Sequence, residues 1–292
     1  MYVVFGATGN TGKPLTEALL KAGKKVRIVA RDVQKAQSLV AAGAEFMPGD
    51  IYDAGFVGKV IQGAEGVFFM IPPFYSAPDF SAHQHKATDA FVAALKQNPV
   101  PYVVALSSVG AHQPSGMGVV QGLHYMEQQL ATVTGVNLLV LRAAYFMENL
   151  YGWAGMIPGG TVYYTVVADV AMPMVATVDI AAKAAAHLLA KDFSGNSLEY
   201  VLGPRDLTFA EVAQIVGEAT GFALNYVHVP VEAAIPAMQQ VGMSDSMIHS
   251  MNEFVSALNA GRVLDVVTRN AANTTPTDLK DFAPALRYAL PV

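Results

Sequence analysis

Along the first half of the chain, short runs of β-branched and aromatic residues alternate with stretches whose apolar positions recur at helical spacing. Tyr2 to Phe5 reads as a first strand, Lys13 to Ala22 as a helix closed by Gly23, Lys25 to Ala30 as a second strand, and Val33 to Ala42 as a helix closed by Gly43. Further strands follow at Glu45 to Met47, Gly66 to Ile71, Tyr102 to Leu106 and Val136 to Leu141, with helices at Phe80 to Leu95 and Gln121 to Val133 between the last three. Buried strands joined by helices of this kind predict right-handed crossovers, and hence a parallel sheet covered on both faces.

Ser197 to Leu202 predicts one more strand, preceded by a helix that starts at Asp179 with that side chain as its N-cap. Thr208 and Glu211 have the spacing of a capping box, ahead of the apolar positions Val212, Ile215 and Val216. Thr275-Pro276-Thr277-Asp278 offers a cap, a first-turn proline and an acidic third position, and predicts a short helix over Leu279 to Ala283. The expected organisation is a sheet domain over residues 1–155, to which 179–202 returns, and a smaller lobe, mainly 156–292. Segments 144–178 and 203–292 would cover the carboxyl edge of the sheet.

Composition narrows the function classes. With 53% hydrophobic and 14% charged residues, a chain of 292 residues has the makings of a large core. Its 18 basic and 23 acidic side chains are scattered and leave a net charge of -5, so no bulk field draws it to nucleic acid or an anionic membrane. The absence of cysteine excludes disulfides, thiolate nucleophiles and cysteine-ligated metal centres. The longest apolar runs, Gly66 to Pro73 and Val100 to Leu106, fall short of the ~20 residues that span a bilayer. The first strand opens at Tyr2 with no leader or signal segment ahead of it, and the expectation is a soluble cytoplasmic protein.

Gly6-Ala7-Thr8-Gly9-Asn10-Thr11-Gly12 follows the first strand directly and leads into the first helix. Glycines at this spacing permit a tight turn, bring a pyrophosphate against the backbone and let the helix pack closely on the strand. The helix amino terminus then offers its unpaired N–H groups, and Pro14 in the first turn removes no internal bond. Gly6, Thr8, Gly9, Asn10, Thr11 and Gly12 are therefore expected to hold a dinucleotide. The second strand ends at Ala30-Arg31-Asp32, with Arg31 nineteen positions beyond Gly12. At that place an acidic side chain accepts from a free ribose 2′-hydroxyl, whereas an arginine pairs with a 2′-phosphate. Arg31, with Lys35 four residues on, favours NADP(H); Asp32, if turned inward onto the ribose hydroxyls, admits NAD(H). Asp50, after the third strand, either meets the adenine amino group or closes the turn Asp50-Ile51-Tyr52-Asp53. Ile71 and Pro72, after the fourth, pass beside the adenine ribose and pyrophosphate, a stretch that apolar packing explains equally well.

The chain resembles the NmrA-like family of atypical short-chain dehydrogenases over roughly its first 200 residues. The matching stretches are the Gly6 to Gly12 turn, Ala30-Arg31-Asp32, Gly49-Asp50, Leu106 to Ala111, Leu141-Arg142, Tyr145 to Asn149 and Val178 to Ala181. The resemblance implies a doubly wound α/β Rossmann fold with Arg31 and Lys35 at the 2′-phosphate. It further implies Ser107 to Gly110 beneath the nicotinamide and Tyr145 to Asn149 beside a substrate cavity. It leaves two roles open: an NADPH-dependent oxidoreductase acting on quinone-like, flat, electron-poor small molecules, and an NADP(H)-sensing regulator. One departure matters. Conventional members of the wider superfamily carry Tyr-x-x-x-Lys after the fifth strand, but here Tyr125 is followed four residues later by Gln129, so no lysine lowers its pKa.

Hydride transfer to a quinone depends on orientation and water exclusion more than on a strong side-chain acid, with a few donors for the developing oxyanion. His124, Tyr125 and Tyr145 are the candidate donors, with Ser108 orienting a carboxamide or substrate oxygen. Adjacent His124 and Tyr125 point different ways on a helix, so at most one faces the cavity. Plain structural roles stand beside these: a satisfied histidine, a strand terminus at Ser107-Ser108, and core packing at Tyr145-Phe146-Met147. Phe74, Tyr75, Trp153, Tyr163 and Tyr164 are candidates for stacking on a flat substrate. His83 and His85 do not share a helix face, and the chain has neither G-x-S-x-G nor G-x-x-x-x-G-K-[ST]. No metal site, serine hydrolase or NTPase is therefore expected, and monomer and homodimer both remain open.

Overall fold

Strands fully buried on both sides need helices over both faces, and the chain supplies them by alternation. The computed structural model describes residues 1–30 and 32–290. In chain order the elements are β1 (Tyr2–Phe5), α1 (Gly12–Lys21), β2 (Val26–Ala30), α2 (Val33–Ala41), β3 (Glu45–Pro48), α3 (Ala54–Ile61), β4 (Gly66–Phe69), α4 (Phe80–Gln97), β5 (Tyr102–Ser108), α5 (Gln121–Leu130) and β6 (Asn137–Ala143). There follow β7 (Tyr145–Phe146), β8 (Thr161–Tyr164), β9 (Ala171–Val175), α6 (Thr177–Ala190), β10 (Asn196–Val201), β11 (Asp206–Thr208), α7 (Phe209–Thr220), β12 (Asn225–His228), α8 (Val231–Gln240), α9 (Asp245–Asn259) and α10 (Leu279–Phe282).

Seven of the strands form one parallel sheet in the order β10-β6-β5-β4-β1-β2-β3. The order reverses between β1 and β4, which opens a crevice at their carboxyl ends, the general ligand position of doubly wound sheets. Leu15 and Leu19 of α1, Leu39 of α2 and Ile180 of α6 cover one face, while Val57 of α3, Phe91 of α4 and Met126 of α5 cover the other. The apolar layer on the first face continues without a break from Leu141 through Trp153 and Phe209 to Leu286. Beyond β6 the chain builds two smaller sheets, β11-β9-β7 and β12-β8. Among the described residues no helix is long and apolar enough to cross a membrane.

Two helix starts differ from the sequence expectation. Asp179 is not the N-cap of α6, which begins two residues earlier; Glu148 instead accepts from the Thr177 amide at 3.0 Å and from the Thr177 hydroxyl at 2.5 Å. Asp179 turns to the C-terminal segment and accepts from the Thr277 amide at 3.0 Å and its hydroxyl at 2.9 Å. That leaves Asp278, rather than Thr275, to cap α10 by accepting from the Lys280 amide at 3.0 Å. A carboxylate near a helix start goes to whichever amide the tertiary structure presents, and local spacing cannot rank the two. The capping box of Thr208 and Glu211, whose partners lie within one turn, forms as its spacing predicts. Helix α3 is unheralded because Gly55 and Gly58 weaken its local signal; Asp53 secures it by accepting from the Gly55 and Phe56 amides.

Candidate functional site

The turn after β1 closes on itself through backbone contacts. The Gly9 amide donates to the Gly6 carbonyl at 3.0 Å and the Lys13 amide to the Gly9 carbonyl at 3.0 Å. Gly6 has φ +68°, and a Cβ there would lie 2.4 Å from the Met70 sulfur, so the turn touches the segment leaving β4. A Cβ on Gly12 would lie 2.1 Å from the Gly6 carbonyl oxygen, a contact no side chain survives. Thr11 precedes α1 without a side-chain cap, and no acidic residue occupies the first helical turn. The exposed Gly9 and Asn10 and the half-buried Thr8 complete the turn. Behind it, the Thr177 hydroxyl lies 3.2 Å from the Asn10 carbonyl, so Glu148 and Thr177 tie the turn to the start of α6.

On the β2 side, Arg31 lies outside the described residues. Asp32 caps α2 by accepting from the Gln34 amide at 2.8 Å, and Lys35 is exposed in the first turn of that helix. Asp50 accepts from the Tyr52 amide at 3.0 Å and so closes its own turn, while remaining exposed. Ile71 and Pro72 are half-buried beyond β4, and the Pro72 carbonyl lies 3.2 Å from Nε2 of His83.

The β5 side distributes the sequence candidates differently from expectation. Ser107 is 2% exposed and turns its hydroxyl into the protein, donating to Glu127 at 2.5 Å. Ser108 is half-buried and donates to the Val109 carbonyl at 2.9 Å. His124 Nδ1 donates to the Ala111 carbonyl at 2.8 Å, which fixes the connection leaving β5. Tyr125 faces α4: its hydroxyl donates to Asp89 at 2.7 Å, its ring lies 3.9 Å from that of His85, and the Asp89 hydrogen bond, with burial, raises its pKa. A surface depression lined by Tyr52, Ala82, His85, Lys86 and Asp89 lies on that flank and includes none of the edge residues.

Tyr145 opens β7, two residues past the end of β6, with its hydroxyl 2.9 Å from that of Tyr164 and its ring edge-on to Phe209. Burial, followed by the neighbouring Tyr164, raises its pKa well above the usual phenol value, which favours the protonated phenol. Tyr164 stacks on Phe209. Of the other aromatic candidates, Trp153 is 1% exposed and belongs to the core, whereas Tyr163 is 56% exposed and Phe74 and Tyr75 lie on the surface. The glycine turn, the Ser108 to Ala111 connection and Tyr145 thus lie at or past the carboxyl ends of β1, β5 and β6 along one edge of the sheet, whereas Tyr125 faces α4.

Sequence reasoning passed over Glu127, the contact of Glu148 with Thr177, and the His112–Asp265 contact of 2.7 Å that joins the β5 connection to the segment after α9. Only Glu127 left a signal: Leu123, Met126, Glu127 and Leu130 form the inward stripe of α5, and a carboxylate within such a stripe calls for a buried partner.

The family model described as NmrA-like family matches residues 2–283. An NAD(P)H azoreductase from Xenophilus azovorans is 29% identical over 253 residues, covering 87% of this chain and 85% of its own. An NADPH-dependent quinone oxidoreductase from Escherichia coli, crystallised with NADPH, superposes with a TM-score of 0.83 at 20% identity, over 98% of this chain and 99% of its own. A triphenylmethane reductase from Citrobacter sp., crystallised with NADP(H), gives a TM-score of 0.83 at 20% identity, over 98% and 100%.

Proposed function

The chain belongs to the NmrA-like family, and we propose that it is a reductase that binds NADPH over the Gly6 to Gly12 turn and delivers hydride to a flat, electron-poor acceptor of the quinone or dye class. One observation carries the reading: a turn in which any side chain at Gly12 overlaps the Gly6 carbonyl, set beside an uncapped helix start at the strand-order reversal. Bare backbone with outward amides at that place suits a diphosphate. The residues that would hold it are Gly6, Thr8, Gly9, Asn10, Thr11 and Gly12. Arg31 and Lys35 would pair with the 2′-phosphate, a reading supported by the commitment of Asp32 to the Gln34 amide of α2. Asp50, Ile71 and Pro72 border the adenosine side, and Ser107 contributes through its backbone. NAD(H) remains a weaker ligand on the same turn.

Bound NADPH supplies two electrons and a proton as hydride. The chain's own part is to orient the acceptor, exclude water and stabilise the oxygen or nitrogen that gains charge. Tyr145, kept protonated by its surroundings, donates its single O–H to that atom while accepting from the Tyr164 hydroxyl, and Ser108 orients the neighbouring polar group. His124 supports the β5 connection rather than the acceptor. The names of the azoreductase, quinone oxidoreductase and triphenylmethane reductase support an aromatic acceptor. The test is loss of nicotinamide absorbance when purified protein and NADPH meet a panel of quinones and azo dyes, with turnover expected for at least one.

A second reading, an NADP(H)-sensing regulator, is favoured by one feature: Tyr125 has no lysine four residues on, and Asp89 holds its phenol. Saturable NADPH binding without turnover of any acceptor in the panel selects that reading.

A further inference from the structure

Just below the carboxyl edge, β5 and β6 carry a polar pair that the proposed function leaves unused. Ser107 and Arg142 are register partners, each one residue short of its strand's end. Glu127 of α5 receives both: Oε1 accepts from the Ser107 hydroxyl at 2.5 Å and from Arg142 Nε at 3.0 Å, and Oε2 accepts from Arg142 Nη2 at 2.5 Å. Arg142 also donates to the Tyr200 hydroxyl at 3.2 Å. Glu127 and Arg142 are only 6% and 9% exposed. Burial lowers the Arg142 pKa, but the Glu127 hydrogen bond and charge outweigh it and the net shift is upward.

A buried ion pair stabilises a fold no better than well-packed apolar residues of similar volume. What the pair adds is geometry. Its two-pronged contact fixes the rotation and height of α5 against the ends of β5 and β6. Three residues earlier on α5, His124 holds the Ala111 carbonyl. Glu127 therefore fixes the stretch from Ser108 to Gly110 at both ends, directly through Ser107 and indirectly through His124. We infer that Glu127, paired with Arg142, is a positioning residue that sets the β5 edge for hydride transfer; the inference rests on the reductase reading.

The test compares Glu127→Gln with the apolar double variant Glu127→Met/Arg142→Met, reading unfolding temperature, NADPH affinity, and kcat and KM for the acceptor. Glu127→Gln leaves Arg142 buried without its counterion, so it should unfold at lower temperature and lose about tenfold or more in kcat. The double variant should regain the unfolding temperature but not kcat. NADPH affinity should stay within about twofold in both, because the glycine turn stands two strands away on β1. Recovery of both unfolding temperature and kcat in the double variant makes the pair a stability element and overturns the inference. So does a kcat loss that merely tracks NADPH affinity. Failure of the reductase reading looks different, since the wild-type protein itself then turns over nothing. The positioning is in that case read from amide exchange at Val109 to Ala111, faster in the double variant if the pair holds the edge and unchanged if it does not.

Discussion

On the β1 side of the carboxyl edge the geometry is set by backbone atoms. Gly6, Gly9 and Gly12 close on one another through carbonyls and amides, and side chains enter mainly as things that must be absent. On the β5 side the geometry is set by side chains brought from β5, α5, β6, β7, β8 and β10: Ser107, His124, Glu127, Arg142, Tyr145, Tyr164 and Tyr200. The first arrangement leaves no room for a side chain at Gly12 and, in the proposed function, is the part that would hold a diphosphate. The second can be retuned one side chain at a time, which suits the half of a site that chooses the acceptor.

Substitutions at the glycine turn should break this contrast most sharply. Gly12→Val places a side chain where a Cβ already lies 2.1 Å from the Gly6 carbonyl oxygen. Its dissociation constant for NADPH, followed by titration calorimetry, should rise about 100-fold or more, ~3 kcal/mol. Gly9→Ala meets only the Gly6 carbonyl at 3.3 Å and should lose less than about tenfold. Comparable losses at the two positions would mean that flexibility, not space, is what the turn needs. Arg31→Ala tests the neighbouring strand end: NADPH binding should weaken by about 10-fold or more, ~1.4 kcal/mol, with NADH binding unchanged.

Changes on the β5 side should leave cofactor affinity alone. Tyr145→Phe should lower kcat by about tenfold through loss of one donor, with the NADPH dissociation constant unaltered. Tyr125→Phe should change neither, because its hydroxyl serves Asp89 on the far flank. If Tyr125→Phe instead abolished turnover, the division of the edge drawn from these contacts would be wrong.

The smallest effect concerns pH. Tyr145 and Tyr164 both have raised pKa values, burial being the largest cause for each, whereas in the unfolded chain they ionise near the ordinary phenol value of 10.0. Their neutral forms therefore contribute stability that is intact below pH ~10 and lost as pH climbs from there toward the folded-state values. Spectrophotometric titration should show their phenolate absorbance appearing only as the protein unfolds in alkali. Tyr145→Phe should move the alkaline unfolding midpoint upward.

The sheet, its two covered faces and the turn after β1 were legible because each rests on a local rule. Alternation of strand and helix fixes a parallel sheet, a capping box needs partners within one turn, and a glycine too crowded for a Cβ leaves its mark in the sequence. The same reading assigned Asp179 to a cap that Glu148 provides, and did not foresee that the Ser107 hydroxyl turns inward to Glu127. In both cases the partner arrives from an element distant in the sequence. Sequence by itself decided where the chain turns and which positions must be bare. Only the folded arrangement decided which carboxylate meets which donor, because that depends on elements tens of residues apart arriving at the same few ångströms.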